Sequence, residues 1–99
     1  MDTVNSQAPK ALSRDLTIVN RRGLHARASA KLVKLVEQFN ADVAVSRDGQ
    51  TVGGTSIMGL MMLAASPGCC IRVETSGLEA EAVMDAVADL VEDGFGEKD

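Results

Sequence analysis

From Cys69 to Ser76 the chain alternates strictly, with Cys69, Ile71, Val73 and Thr75 at one set of positions and Cys70, Arg72, Glu74 and Ser76 at the other. A period of two puts these sets on opposite faces of a strand, one suited to a core and one to water, as an antiparallel sheet with a single wet face allows. Such a sheet needs helices over its apolar side, and the sequence supplies them. Ala28, Leu32, Leu35, Val36 and Phe39 trace one stripe of a 3.6-residue period, predicting a helix that starts at about His25 or Ala26 and stops near Asn40. A second helix is expected from Ser56, as its N-cap, to about Leu63, ended by Ser66-Pro67-Gly68. In a third, Ala80, Val83, Met84, Val87, Leu90 and Val91 form the buried stripe opposite Glu81, Asp85, Asp89 and Glu92, and Ser76-Gly-Leu-Glu79 has capping-box spacing at its start.

Three further strands complete the sheet. Leu16-Thr-Ile-Val alternates, with Leu16 and Ile18 facing inward, and Ala41 to Arg47 places Val43 and Val45 on one side. Asp48-Gly49 is a hairpin turn signal, so Gln50 to Val52 returns as the antiparallel partner before Gly53-Gly54 breaks the strand. The order βαββαβα describes an α+β domain, a four-stranded antiparallel sheet with three helices on one face. Pattern alone leaves the strand order open.

With 99 residues there is room for one core, and with no Trp or Tyr and only Phe39 and Phe95 as aromatics that core is aliphatic. Residues 1–13, polar and containing Pro9, read as a disordered leader; residues 14–93 form the single domain, and 94–99 a short flexible tail. No apolar run approaches the length of a membrane span and no signal-peptide pattern opens the chain, so a cytoplasmic protein is expected. The adjacent Cys69 and Cys70 suit neither an ordinary disulfide nor a metal cluster and read as strand residues in a reducing compartment. Neither a metal nor an organic cofactor is expected.

Chemistry concentrates at the first helix. His25 is the only histidine, and Gly23 before it suits a turn with positive φ, so the imidazole stands where the helix begins. The first amides of a helix lack intrahelical partners and carry the positive end of its dipole. Histidine is a poor N-cap, so capping does not explain its presence. A neutral imidazole nitrogen can attack near pH 7 without an auxiliary base, and Arg27 offers a fork of donors that matches phosphate oxygens. From Leu16 to Val36 there is no acid, while Arg21, Arg22, Arg27, Lys31 and Lys34 are all basic, in a chain whose net charge is −4. Together these residues describe a place to put a phosphoryl group. The competing reading is a plain α+β interaction or ligand-binding module whose surface histidine is incidental. Nucleic acid is a poorer fit, because the chain is acidic and no stacking aromatics accompany the basic run.

The run Gly23-Leu-His25-Ala-Arg27-Ala-Ser-Ala resembles the active-site motif of the HPr family, the histidine-containing phosphocarriers of the bacterial phosphotransferase system, and Ser56-Ile-Met-Gly-Leu-Met-Met-Leu resembles the family's regulatory serine segment. The resemblance spans nearly all of residues 14 to 93, with Ala28 standing where the family usually has proline. It implies an open-faced sandwich whose other sheet face meets solvent. It also implies that Nδ1 of His25 accepts a phosphoryl group from Enzyme I or its nitrogen-branch counterpart, held by Arg27 and the backbone N–H of Ala26, and passes it to an EIIA-type protein. Ser56 would be the target of HPr kinase/phosphorylase. Ile57, Met58, Met61 and Lys34 would form the docking surface, the methionines repacking against different partners, while Leu60 and Leu63 fill the core. Such a carrier is not an enzyme in its own right and is expected to be a monomer. His25-Ala-Arg27, Phe39-Asn-Ala-Asp-Val and Asp93-Gly-Phe95 resemble the nitrogen-related carriers, whereas Ser56-Ile-Met-Gly resembles sugar-system carriers under kinase control.

Overall fold

A computed structural model describes residues 11–97. Its elements are strand β1 (Ala11–Thr17), helix α1 (Ala26–Val36), strands β2 (Asp42–Arg47) and β3 (Gln50–Gly53), helix α2 (Ile57–Met62), strand β4 (Cys70–Ser76) and helix α3 (Ala80–Glu92), followed by a 3-10 turn at Gly94–Gly96. The four strands form one antiparallel sheet in the order β1-β4-β2-β3. Placing β4 between β1 and β2 explains its strict alternation: Ile71, Val73 and Thr75 are buried, while Cys70, Arg72 and Glu74 are exposed. The buried Thr75 hydroxyl is satisfied by donating to the carbonyl of Ala80.

On the apolar side, Leu16, Ile18, Val45, Ile71 and Val73 from the sheet region meet Leu32, Val36, Leu60, Leu63, Val83, Val87 and Val91 from the helices. The opposite face carries polar pairs, Arg72 with Asp15 and Ser46 with Thr51. The hairpin after β2 has Asp48 at φ 51° and Gly49 at φ 82°, two left-handed residues that match the strands' own twist. Gly54 then passes so near Val43 that a Cβ would lie 2.8 Å from its side chain, which requires glycine there.

Several boundaries differ from expectation. Residues 11–13, assigned to a disordered leader, are the start of β1, because Ala11, Leu12 and Ser13 pair with Ser76, Thr75 and Glu74; the rest of that segment, residues 1–10, lies outside the described residues. Helix α1 stops at Val36, not near Asn40: Gln38 and Phe39 bond three residues back to Leu35 and Val36, tightening the last turn. Asn40 is instead stitched to Glu79, its N–H donating to Glu79 Oε1 and its carbonyl accepting from the Glu79 N–H. That stitch takes the carboxylate, so the capping box anticipated at Ser76 to Glu79 does not form.

The largest correction concerns the tail. Expected to be flexible over 94–99, it folds back at Gly94–Gly96 as a turn with Phe95 fully buried, at φ 58°, and Lys31 Nζ donating to the Phe95 carbonyl at 2.6 Å, while residues 98–99 lie outside the described residues. An aromatic ring left in water would forfeit on the order of 2 kcal/mol of burial, enough to hold a short turn in place. Cys69 and Cys70 are free thiols; hydrogen bonds with Ser66, and then Arg47, hold the Cys69 thiol below its ordinary range.

Candidate phosphoryl-acceptor site

The site is built where three loops meet. Gly23 turns the chain at φ +64°, against the loop after α2, so closely that a Cβ would lie 2.1 Å from the carbonyl oxygen of Ala65. The Leu24 N–H donates to that same oxygen at 3.0 Å, and Leu24 is buried. His25 follows as the N-cap of α1, extended at φ −74°, ψ 179°, with no side-chain capping bond. The first helical bond runs from the Ser29 N–H to the His25 carbonyl, which leaves the amides of Ala26, Arg27 and Ala28 at the open end of the helix. Ala28 is wholly buried and the helix starts at Ala26, so the helical terminus forms without a proline. Arg27 is exposed on the first turn.

The imidazole is less open than the sequence implies. Its side chain is 18% exposed, because Nε2 lies 2.5 Å from Oε2 of Glu97. The other carboxylate oxygen of Glu97 accepts from Asn20 Nδ2 at 3.1 Å, and the same Nδ2 donates to the Gly23 carbonyl at 2.9 Å. Both partners of that amide are acceptors, which fixes its orientation. Hydrogen bonds from His25 and Asn20 hold the Glu97 carboxyl below the usual carboxylate range. Among the described residues Nδ1 of His25 has no hydrogen-bond partner.

Sequence reasoning placed His25, Ala26 and Arg27 together at the helix start, and the structure does so. It missed Glu97, and Asn20 beside it. The acid-free run around His25 suggested a purely positive field, yet an acid from the far end of the chain reaches the ring. Phe95, an aromatic flanked by glycines near the end of the chain, was the available signal that this segment is anchored.

Ser56 caps α2 as expected, its Oγ accepting from the Gly59 N–H at 2.9 Å. Leu60 and Leu63 are buried, whereas Ile57, Met58 and Met61 are exposed, at 39%, 72% and 41%. Met62, not singled out from the sequence, is 69% exposed beside them. Lys34 is exposed on α1.

Residues 12–93 match the family model for the PTS HPr component phosphorylation site. The chain belongs to the HPr family. It is 50% identical over 86 residues to the phosphocarrier protein HPr of Cupriavidus necator, an alignment covering 87% of this chain and 97% of that protein. It is 37% identical over 86 residues to the phosphocarrier protein NPr of Shewanella violacea, covering 87% and 94%. Among solved structures it resembles HPr-C-His from Thermoanaerobacter tengcongensis, with a TM-score of 0.84 at 34% identity over 88% of this chain and 98% of that one. It also resembles HPr from Bacillus anthracis, with a TM-score of 0.79 at 36% identity over 82% and 96%. The fold is therefore the HPr-like open-faced sandwich. Its members are phosphocarriers of the phosphotransferase system rather than catalysts, and among the described residues no helix is long and apolar enough to cross a membrane.

Proposed function

We propose that this HPr-family chain accepts a phosphoryl group on Nδ1 of His25 from Enzyme I, or from its nitrogen-branch counterpart, and delivers it to an EIIA-type protein in the cytoplasm. The supporting observation is an imidazole at the N-cap of α1 that makes no side-chain capping bond and whose Nδ1 has no hydrogen-bond partner among the described residues. In an in-line transfer the phosphoryl oxygens carry charge that the amides of Ala26 and Arg27 and the Arg27 guanidinium are suited to hold. A helix terminus favours a dianion, yet a carrier that binds its load too tightly cannot release it, so partner docking on Ile57, Met58, Met61 and Lys34 governs the rate.

Ser56 carries a second, regulatory role in this reading, as a substrate of HPr kinase/phosphorylase. A phosphate on it would sit at its own helix terminus while placing negative charge inside the docking surface, repelling a phosphorylated partner.

Incubation with each Enzyme I paralogue and phosphoenolpyruvate tests the assignment. Acid-labile, base-stable phosphate should appear on the wild type and be absent from His25→Ala. No uptake by the wild type from any donor, or equal uptake by His25→Ala, would sink the carrier reading in favour of a non-catalytic module.

A further inference from the structure

We propose that Met58 and Met62 form an oxidative modification site: conversion of their thioethers to sulfoxides by a peroxide-class oxidant closes the docking face of α2, and reduction reopens it. The inference deepens the carrier reading and rests on α2 being the surface that meets the phosphorylated donor.

Helix α2 runs Ile57-Met-Gly-Leu-Met-Met62, so none of its residues has a charged side chain or one with an N–H or O–H to donate. Leu60 takes the inward side and is wholly buried, which leaves Met58, Met61 and Met62 exposed at 72%, 41% and 69%. Met58 and Met62 are four positions apart and are therefore neighbours on one side of the helix. In water these side chains contribute little to the fold, and what the positions present to solvent is a pair of oxidisable sulfurs. Met84 is the contrast within the same molecule, 4% exposed and packed in the core beneath α3. Susceptibility to a dissolved oxidant follows that difference in access.

The chemistry is a two-electron oxidation at sulfur. A sulfur lone pair attacks one oxygen of hydrogen peroxide, and the S–O bond forms as the O–O bond breaks. The departing hydroxide takes the proton from the newly bound oxygen and leaves as water; sulfur is oxidised and the peroxide reduced. A thioether is a weak acceptor, whereas the sulfoxide is polar and binds water. On docking, an apolar partner surface would have to strip that water away without replacing it, which penalises the complex. The fold itself loses nothing, because both side chains stand outside the core. Ser56 caps the helix through the Gly59 N–H, a bond that does not involve the methionines.

Full-length wild type should be treated with hydrogen peroxide and then with dithiothreitol, which returns disulfides and sulfenic acids at Cys69 and Cys70 to thiols but leaves sulfoxides in place. Peptide mass spectrometry should find Met58 and Met62 converted well before Met84. KM for phosphorylated Enzyme I should rise about tenfold, the scale on which an unpartnered polar group penalises an apolar contact, while kcat stays within about twofold. The urea midpoint should not move. Methionine sulfoxide reductases A and B together, one for each sulfur epimer, should restore the KM. The double variant Met58→Leu, Met62→Leu keeps Met61, Met84 and both cysteines; whatever its starting KM, that value should not respond to the same treatment. Sulfoxide at Met58 and Met62 with an unchanged KM would overturn the proposal, as would a KM rise that persists in the leucine variant or that comes with a loss of stability. An untreated wild type that takes up no phosphate would instead overturn the carrier reading on which it rests.

Discussion

Gly23 packs against Ala65 with no room for a side chain, since a Cβ would come within 2.1 Å of the Ala65 carbonyl oxygen. This contact joins the turn before His25 to the loop that follows α2, the helix holding the candidate docking residues Ile57, Met58 and Met61. Gly23→Ala therefore combines left-handed strain with a backbone clash and should cost about 3 kcal/mol. Urea denaturation measures the loss, and the Leu24 amide, which donates to the same oxygen, should lose protection from hydrogen exchange.

Ser56→Ala removes the cap of α2 and should cost about 1 kcal/mol by the same method. Ser56→Asp keeps a capping oxygen and should cost less, yet it places negative charge on the docking face and should slow loading of His25. An unchanged loading rate under matched conditions would remove the regulatory proposal.

Core and surface positions of α2 should separate cleanly. Leu60→Ala, at a site with no exposure, should destabilise by about 2 to 5 kcal/mol. Met58→Ala, at a residue 72% exposed, should change stability by less than about 0.5 kcal/mol while raising KM for the phosphorylated donor. A Met58→Ala variant with wild-type KM would remove that residue from the docking surface.

Glu97 should make stability depend on pH. Hydrogen bonds from His25 and Asn20, with Lys31 nearby, depress its folded pKa below the unfolded value. Its contribution is thus fully present above the ordinary glutamate range, near 4.3, and is lost as pH falls through the depressed folded value. Arg21, Glu92 and Asp93 line the same recess as Glu97 and contribute to the local field. The stability difference between wild type and Glu97→Gln should accordingly shrink on going from about pH 6 to pH 3. A difference that is constant over this range would show that the carboxylate gains nothing from its partners.

Arg27→Ala should reduce the rate of loading by about a hundredfold, the scale of losing one donor aimed at developing charge, with the fold unaffected because the side chain is exposed. Phosphate release from radiolabelled Enzyme I, followed over time, measures it.

What the sequence determined by itself is whatever a few neighbouring residues can specify. Alternation between Cys69 and Ser76 marked β4, the spacing from Ala28 marked α1, Asp48-Gly49 marked the hairpin and Ser56 marked the start of α2. The histidine's place at a helix terminus came from the same short-range reasoning. Tertiary structure alone decided that β4 lies between β1 and β2, that β1 begins at Ala11, and that Glu79 bonds Asn40 rather than capping its own helix. It also decided that Glu97 meets His25 across 72 positions of sequence. No local periodicity encodes such a meeting: it depends on Phe95 finding space in a core assembled from every other element, which carries the carboxylate behind it to the ring.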